Sequence, residues 1–270
     1  MTRRYVTKKR LAHLEETLTP RERATIDTLD RLRVATTEQL RRIHFHDLTE
    51  RSAARQAPAL LASLAARQVV VKLTRQVGGA RAGSRAAVWA LDVAGQRLAA
   101  VCGPAGGRIV RRPWTPSLAF LAHRLAVSDC YANLTERELA GEAELLDFDA
   151  EPLAWRRYVS AHGTTAYLKP DAFVRLGVGA VERGAFVEID RATETRSTLA
   201  VKLRAYRQYW ETGREQDRRD YFPRVVFAVP DKERKTVLAD LYAAQPEATR
   251  PLWHVALADE LTDWLIGGGS

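Results

Sequence analysis

Apolar residues recur at helical spacing from the start of the chain. Thr19-Pro20-Arg21-Glu22 sets a capping threonine before a proline at the first helical position, with a glutamate able to close a capping box. Ala24, Ile26, Leu29 and Leu32 follow on one stripe, which predicts a helix. A second start lies in Thr36-Thr37-Glu38-Gln39, with Leu40, Ile43 and Phe45 as its apolar face. A third helix is predicted from about Ser52 to Arg67, burying Ala53, Ala57, Leu60, Leu61 and Leu64. Two β-branched or aromatic runs follow, Val69–Leu73 and Val88–Leu91, and both read as strands. Between them Gly78–Arg85 is a glycine-rich loop carrying Arg81 and Arg85, and Asp92–Ala99 reads as a closing helix. Three short helices and a hairpin with a Gly/Arg tip predict a winged helix-turn-helix over 19–101.

The pattern changes after Cys102. Gly103, Pro104, Gly106, Gly107 and Pro113 mark 102–115 as a linker. A long helix then starts at Thr115-Pro116, with Leu118, Leu121, Ala122, Leu125 and Ala126 on its core face. Glu144–Phe148, Tyr167–Val174 and Ala185–Asp190 read as three strands, followed by a helix from Ser197 to about Tyr209 and the strand Val225–Val229. A helix over Lys235–Ala243 and a short strand near Trp253-His254-Val255 end the domain, 116–266. The order predicts an α/β domain with a mixed sheet. The closing Gly267–Ser270 reads as an appended linker.

Charge divides the chain in the same place. Residues 1–115 hold 22 Lys/Arg against 9 Asp/Glu, a net +13, whereas residues 116–270 hold 20 against 24, a net −4. A basic first half implies an anionic partner, double-stranded DNA for this fold. Arg51, Ser52, Arg55 and Gln56 project from the unburied face at the start of the third helix, where such side chains reach base edges and phosphates. Arg81 and Arg85 suit a minor groove or a phosphate backbone. Pro58 disagrees with a regular recognition helix, so the helix is either kinked there or begins nearer Gln56. The basic stretch Arg3–Arg10 leads into Leu11, Leu14 and Leu18, and 1–18 is either a backbone-tracking arm or a dimerisation helix.

The second domain carries acids where an apolar strand is expected. Glu188 and Asp190 are two apart and share a sheet face, and Pro170-Asp171 sits on the neighbouring strand. Three converging carboxylates can hold a Mg2+ or Mn2+ ion, which activates water against a phosphodiester.

Pro170-Asp171, sixteen intervening residues and Glu188-Ile189-Asp190, in this order of elements, resemble the PD-(D/E)XK nuclease superfamily. With the N-terminal winged helix, the segments His123–Asp129, Val187–Glu194 and Lys202–Tyr206 resemble the replication-relaxation family of plasmids and mobile elements. The resemblance implies a DNA-binding protein acting in replication, transfer or regulation. It implies Asp171 and Glu188 as metal-binding acids. Asp190 stands where the nuclease pattern has lysine, and Lys202 on the next helix is the candidate displaced lysine. Two outcomes stay open for Asp171, Glu188, Asp190 and Lys202: a Mg-dependent endonuclease or nickase, or a non-cutting domain. In the second, Glu188, Asp190 and Arg191 form an ion-pair network with Lys202 and Arg204. A dimeric transcriptional repressor, a homodimer through the second domain, is a third reading.

Other chemistry is excluded by spacing. No Gly-Lys-Ser/Thr follows a glycine-rich loop, no Gly-x-Ser-x-Gly elbow occurs, and His44-Phe45-His46 lacks suitably spaced zinc partners. Trp210, Tyr206 and Tyr209 read as core rather than a base-stacking platform. Cys102 and Cys130 sit in unrelated contexts. With no apolar membrane span and no secretory pattern, the chain is expected to be cytoplasmic.

Overall fold

The capping box read at Thr19 forms as written. Thr19 Oγ1 accepts from Glu22 N, and Glu22 Oε2 accepts from Thr19 N at 2.9 Å, fixing the start of α2 (Pro20–Leu32). Thr36 and Gln39 repeat the device at α3 (Thr37–His44), and Thr49 caps α4 (Glu50–Ala66). In this computed structural model residues 6–73, 87–102, 116–161 and 163–267 are described. They fall into two units, Met1–Ala132 and Asn133–Ser270.

In the first unit α1 (Lys8–Thr17) precedes α2, and β1 (Ala35–Thr36) leads into α3. β2 (Val70–Lys72) and β3 (Val88–Leu91) follow α4, and α5 (Val93–Cys102) follows them. The sheet order is β1-β3-β2, antiparallel, with Ala35 opposite Trp89 and Val70 opposite Leu91. Leu29, Leu40, Leu61, Leu64, Val69 and Leu98 form the core. Gly95 is dictated by packing: a Cβ there would lie 2.3 Å from the Val69 carbonyl oxygen. Val6, Leu14 and Leu18 are buried in the same core, so the apolar face of α1 is occupied within this unit.

The helix α6 (Leu118–Leu139) is tied to the first unit along its N-terminal part. Leu121 and Leu125 pack on Val34, Leu73 and Val88. Ser128 Oγ donates to the Val34 carbonyl at 2.7 Å, and Gln39 Nε2 donates to Leu125 O at 2.9 Å and Asp129 Oδ1 at 2.7 Å. The division between units therefore falls inside this helix rather than in 102–115.

The second unit holds β4 (Glu144–Ala150), β5 (Arg156–Val159), β6 (Thr165–Leu168), β7 (Ala172–Val178) and β8 (Val181–Ile189). Helices α7 (Arg196–Trp210) and α8 (Arg214–Arg219), strand β9 (Arg224–Val229), helix α9 (Lys232–Ala243), strand β10 (Trp253–Leu257) and helix α10 (Leu261–Gly267) complete it. The main sheet runs β10-β9-β8-β7-β4, with β4, β7 and β8 antiparallel and β8, β9 and β10 parallel. It is a mixed sheet, as expected. β9 is buried over Val225–Val229, which suits a parallel strand covered on both faces. Phe173, Phe186, Leu199, Leu203, Tyr206, Tyr209 and Phe227 join one core.

Tyr167–Val174, expected as one strand, is two. Pro170 has no N–H to give a ladder, and it separates β6 from β7. β6 pairs with β5 in a two-stranded ribbon, whereas β7 lies inside the main sheet. Among the described residues no helix is long and apolar enough to cross a membrane.

Candidate functional site

The exposed face of α4 carries Arg51, Arg55 and Gln56 into solvent. Ser52 is half-buried and belongs to the cap: its N–H and its hydroxyl oxygen both meet Thr49 Oγ1. The helix is continuous through Pro58, so it does not begin near Gln56. Pro58 and Ala54 lie on the exposed side, which lets water reach the carbonyl that a Pro58 N–H would have met. Arg41 braces the start of α4 by bonding both Glu38, at 2.6 Å, and Glu50, at 3.1 Å. Arg81 and Arg85 lie outside the described residues.

His44 is half-buried against α2. Burial, then neighbouring Arg21, pushes it down to about 4, and Nε2 meets Thr28 Oγ1 at 3.0 Å. Cys130 is likewise inert, its thiol pushed up to about 12 by burial and then by Asp129.

The second site is built by strand register. Ala172 pairs with Val187, which sets Asp171 across from Glu188. Glu188 is only 2% exposed. Its Oε2 accepts from Lys202 Nζ at 2.9 Å and its Oε1 from the Tyr206 hydroxyl at 2.7 Å. Lys202 and Tyr206 are four apart on α7 and share a face. Lys202 Nζ also lies 3.0 Å from Glu194 Oε1. Asp171 Oδ2 accepts from the Ile189 N–H at 2.7 Å. Burial first, then the Asp171 charge, raises Glu188 to about 7, against the opposing pull of Lys202. Burial works against the Lys202 ammonium, but Glu188 and Asp171 outweigh it and hold its pKa above the ordinary value.

Asp190 turns elsewhere. Its Oδ2 accepts from Arg234 Nε at 2.5 Å and its Oδ1 from Arg234 Nη2 at 3.2 Å and Ala192 N at 2.8 Å. Arg234 Nη2 also donates to the Glu194 carbonyl at 2.8 Å. The cation on Asp190 is thus Arg234 from α9, not Arg204, which is exposed on α7. Glu194 and Arg234 enter this network without a local signal in the sequence, whereas Tyr206, expected in the core, also reaches Glu188, as its spacing of four from Lys202 signals.

A Mg2+ or Mn2+ ion takes about six oxygens, commonly one or two carboxylates with waters and substrate phosphates. Both Glu188 oxygens and one of Asp171 already accept hydrogen bonds, and Asp190 is held by Arg234. Among the described residues no group of three or more His, Cys, Asp or Glu side chains is placed to share an ion. As placed, Asp190 is committed to Arg234, which leaves Asp171 and Glu188 as the two carboxylates that could hold a divalent cation. The positive charge that answers Asp171 and Glu188 is Lys202.

No curated protein and no solved structure matches the chain. The replication-relaxation family model matches residues 26–225, well over half of the 270 residues. The chain belongs to the replication-relaxation family.

Proposed function

We propose that this protein binds double-stranded DNA through its first unit and acts in the replication, transfer or regulation of a plasmid or mobile element. The observation that carries this is the exposed face of α4, with Arg51, Arg55 and Gln56 on a helix braced at its start. Helices α2, α3 and α4 followed by the β1-β3-β2 sheet support a winged helix-turn-helix, with α4 as recognition helix. The +13 charge of residues 1–115 supports a phosphate partner, and the family supports a replication role. Anisotropy titration of a labelled duplex tests it. Affinity is expected to fall steeply with salt, by a log–log slope of about −0.9 per neutralised phosphate. Arg51→Ala with Arg55→Ala is expected to weaken binding roughly 10- to 100-fold. A salt-independent affinity, or one the double variant leaves intact, rules the reading out.

A nuclease reading of the second unit draws support from the sheet order and from Asp171 beside Glu188 and Lys202. The hydrogen bonds already on these carboxylates favour a non-cutting scaffold instead. Supercoiled plasmid with Mg2+ or Mn2+ is therefore expected to stay supercoiled with wild type and Asp171→Ala alike. Relaxation or linearisation by wild type, lost in Asp171→Ala, restores the nuclease.

A further inference from the structure

The β5–β6 ribbon is amphipathic with period two. Arg156 pairs with Leu168, Arg157 with Tyr167 and Val159 with Thr165. One face sends Tyr158 and Leu168, each 2% exposed, into the core beside Phe173 and Tyr209. The other face is open to solvent: Arg157, Val159, Thr165 and Tyr167, with Trp155 and Lys169 continuing the alternation. Tyr167 is 52% exposed and Trp155 36%, so both rings meet solvent. Lys169 Nζ stands 4.7 Å from the Trp155 ring centroid. The register makes Trp155 and Tyr167 diagonal neighbours, about 7–8 Å apart.

The platform is held from beneath. Arg156 Nε donates to Glu215 Oε1 at 3.1 Å in a pair that is 11% and 1% exposed, and its guanidinium lies over Phe173 at 4.8 Å. Arg214 Nη1 donates to the Arg157 carbonyl at 2.7 Å. Two aromatic rings and two cations are thus presented on an anchored surface. From Trp155 to Lys169 the sequence holds no carboxylate, although residues 116–270 carry a net −4. This local reversal of charge selects for an anion.

We propose that the outer face of the β5–β6 ribbon binds single-stranded DNA, with Trp155 and Tyr167 stacking on unpaired bases and Arg157 and Lys169 meeting the flanking phosphates. Duplex bases are stacked on one another and offer no free faces, so the rings discriminate against duplex. A protein interface would also favour Trp155, Tyr167 and Arg157, though not Lys169, so the test below separates the two partners. The site lies in the second unit and stands apart from the duplex reading of α4.

The test uses the full chain and two probes, a fluorescein-labelled oligo-dT and a labelled blunt duplex. Wild type is expected to bind oligo-dT with a salt-dependent affinity. Trp155→Ala with Tyr167→Ala should weaken it at least about tenfold, since each stacked base contributes about fivefold or more. Tyr167→Phe keeps the ring and should keep the affinity. Arg157→Ala with Lys169→Ala should weaken binding and flatten its salt dependence. Urea midpoints of these surface variants should match wild type, which separates loss of binding from loss of fold. The proposal is overturned if wild type does not bind oligo-dT, or if the aromatic double variant binds as wild type does. It is also overturned if that variant alters only the sedimenting mass, the mark of a protein contact. Loss of duplex binding with oligo-dT binding intact counts against the α4 reading alone.

Discussion

Arg234→Met is expected to destabilise the second unit by about 3–5 kcal/mol, the range for removing one partner of a buried ion pair. Arg234 is 11% exposed and Asp190 2%, so little water reaches either group. Nε and Nη2 engage both oxygens of Asp190, and Nη2 also holds the Glu194 carbonyl. Methionine fills the space of the stem but leaves the Asp190 carboxylate to the Ala192 N–H, a poor answer to a buried charge. The loop between β8 and α7 loses its clamp at the same time. Differential scanning calorimetry should register a drop on the order of 10 °C in the midpoint of this unit. Lysine should rescue poorly, because its point charge cannot span both oxygens. Adding Asp190→Asn to Arg234→Met should recover much of the loss, since the uncompensated charge goes with it. If Arg234→Met melts within about a degree of wild type, the pair is not the clamp described.

How far these features were legible depends on how local their causes are. The starts of α2 and α3 could be read because a capping box is written within four residues, Thr19 to Glu22 and Thr36 to Gln39. Lys202 near Glu188 was readable from the family pattern. Tyr206 lay one helical turn further on the same face. The Arg234–Asp190 pair spans 44 residues, and no spacing rule links α9 to the end of β8. The division of Tyr167–Val174 was signalled by Pro170 alone, against a continuous run of strand-forming residues. The attachment of α6 to the first unit was hidden for another reason. Its apolar stripe reads the same whichever core it serves, and only the bonds from Ser128 and Gln39 decide. The first strand of the basic and aromatic ribbon was not expected at all, because β5 is only four residues long.

Glu188 gives the protein a pH-dependent stability that Glu188→Gln should remove. Its pKa is about 7 in the folded protein against an ordinary 4.5, the shift coming from burial and then from Asp171. The folded state therefore holds a proton at pH values where the unfolded chain has released it. For a raised pKa, the stabilisation is complete below about pH 4.5 and is lost as pH rises through 7. A separation of this size corresponds to about 3 kcal/mol at most. That value already carries the pull of Lys202 and the Tyr206 hydroxyl, both of which favour the ionised carboxylate. Glutamine has the shape of the protonated acid and does not titrate. Urea midpoints across this pH range should show wild type falling relative to Glu188→Gln, with the gap opening between about pH 5 and 7 and constant above it. Parallel curves would mean that Glu188 is ionised throughout. In that case the Lys202 ammonium fully neutralises the buried pair, and the proton assigned to Glu188 is not there.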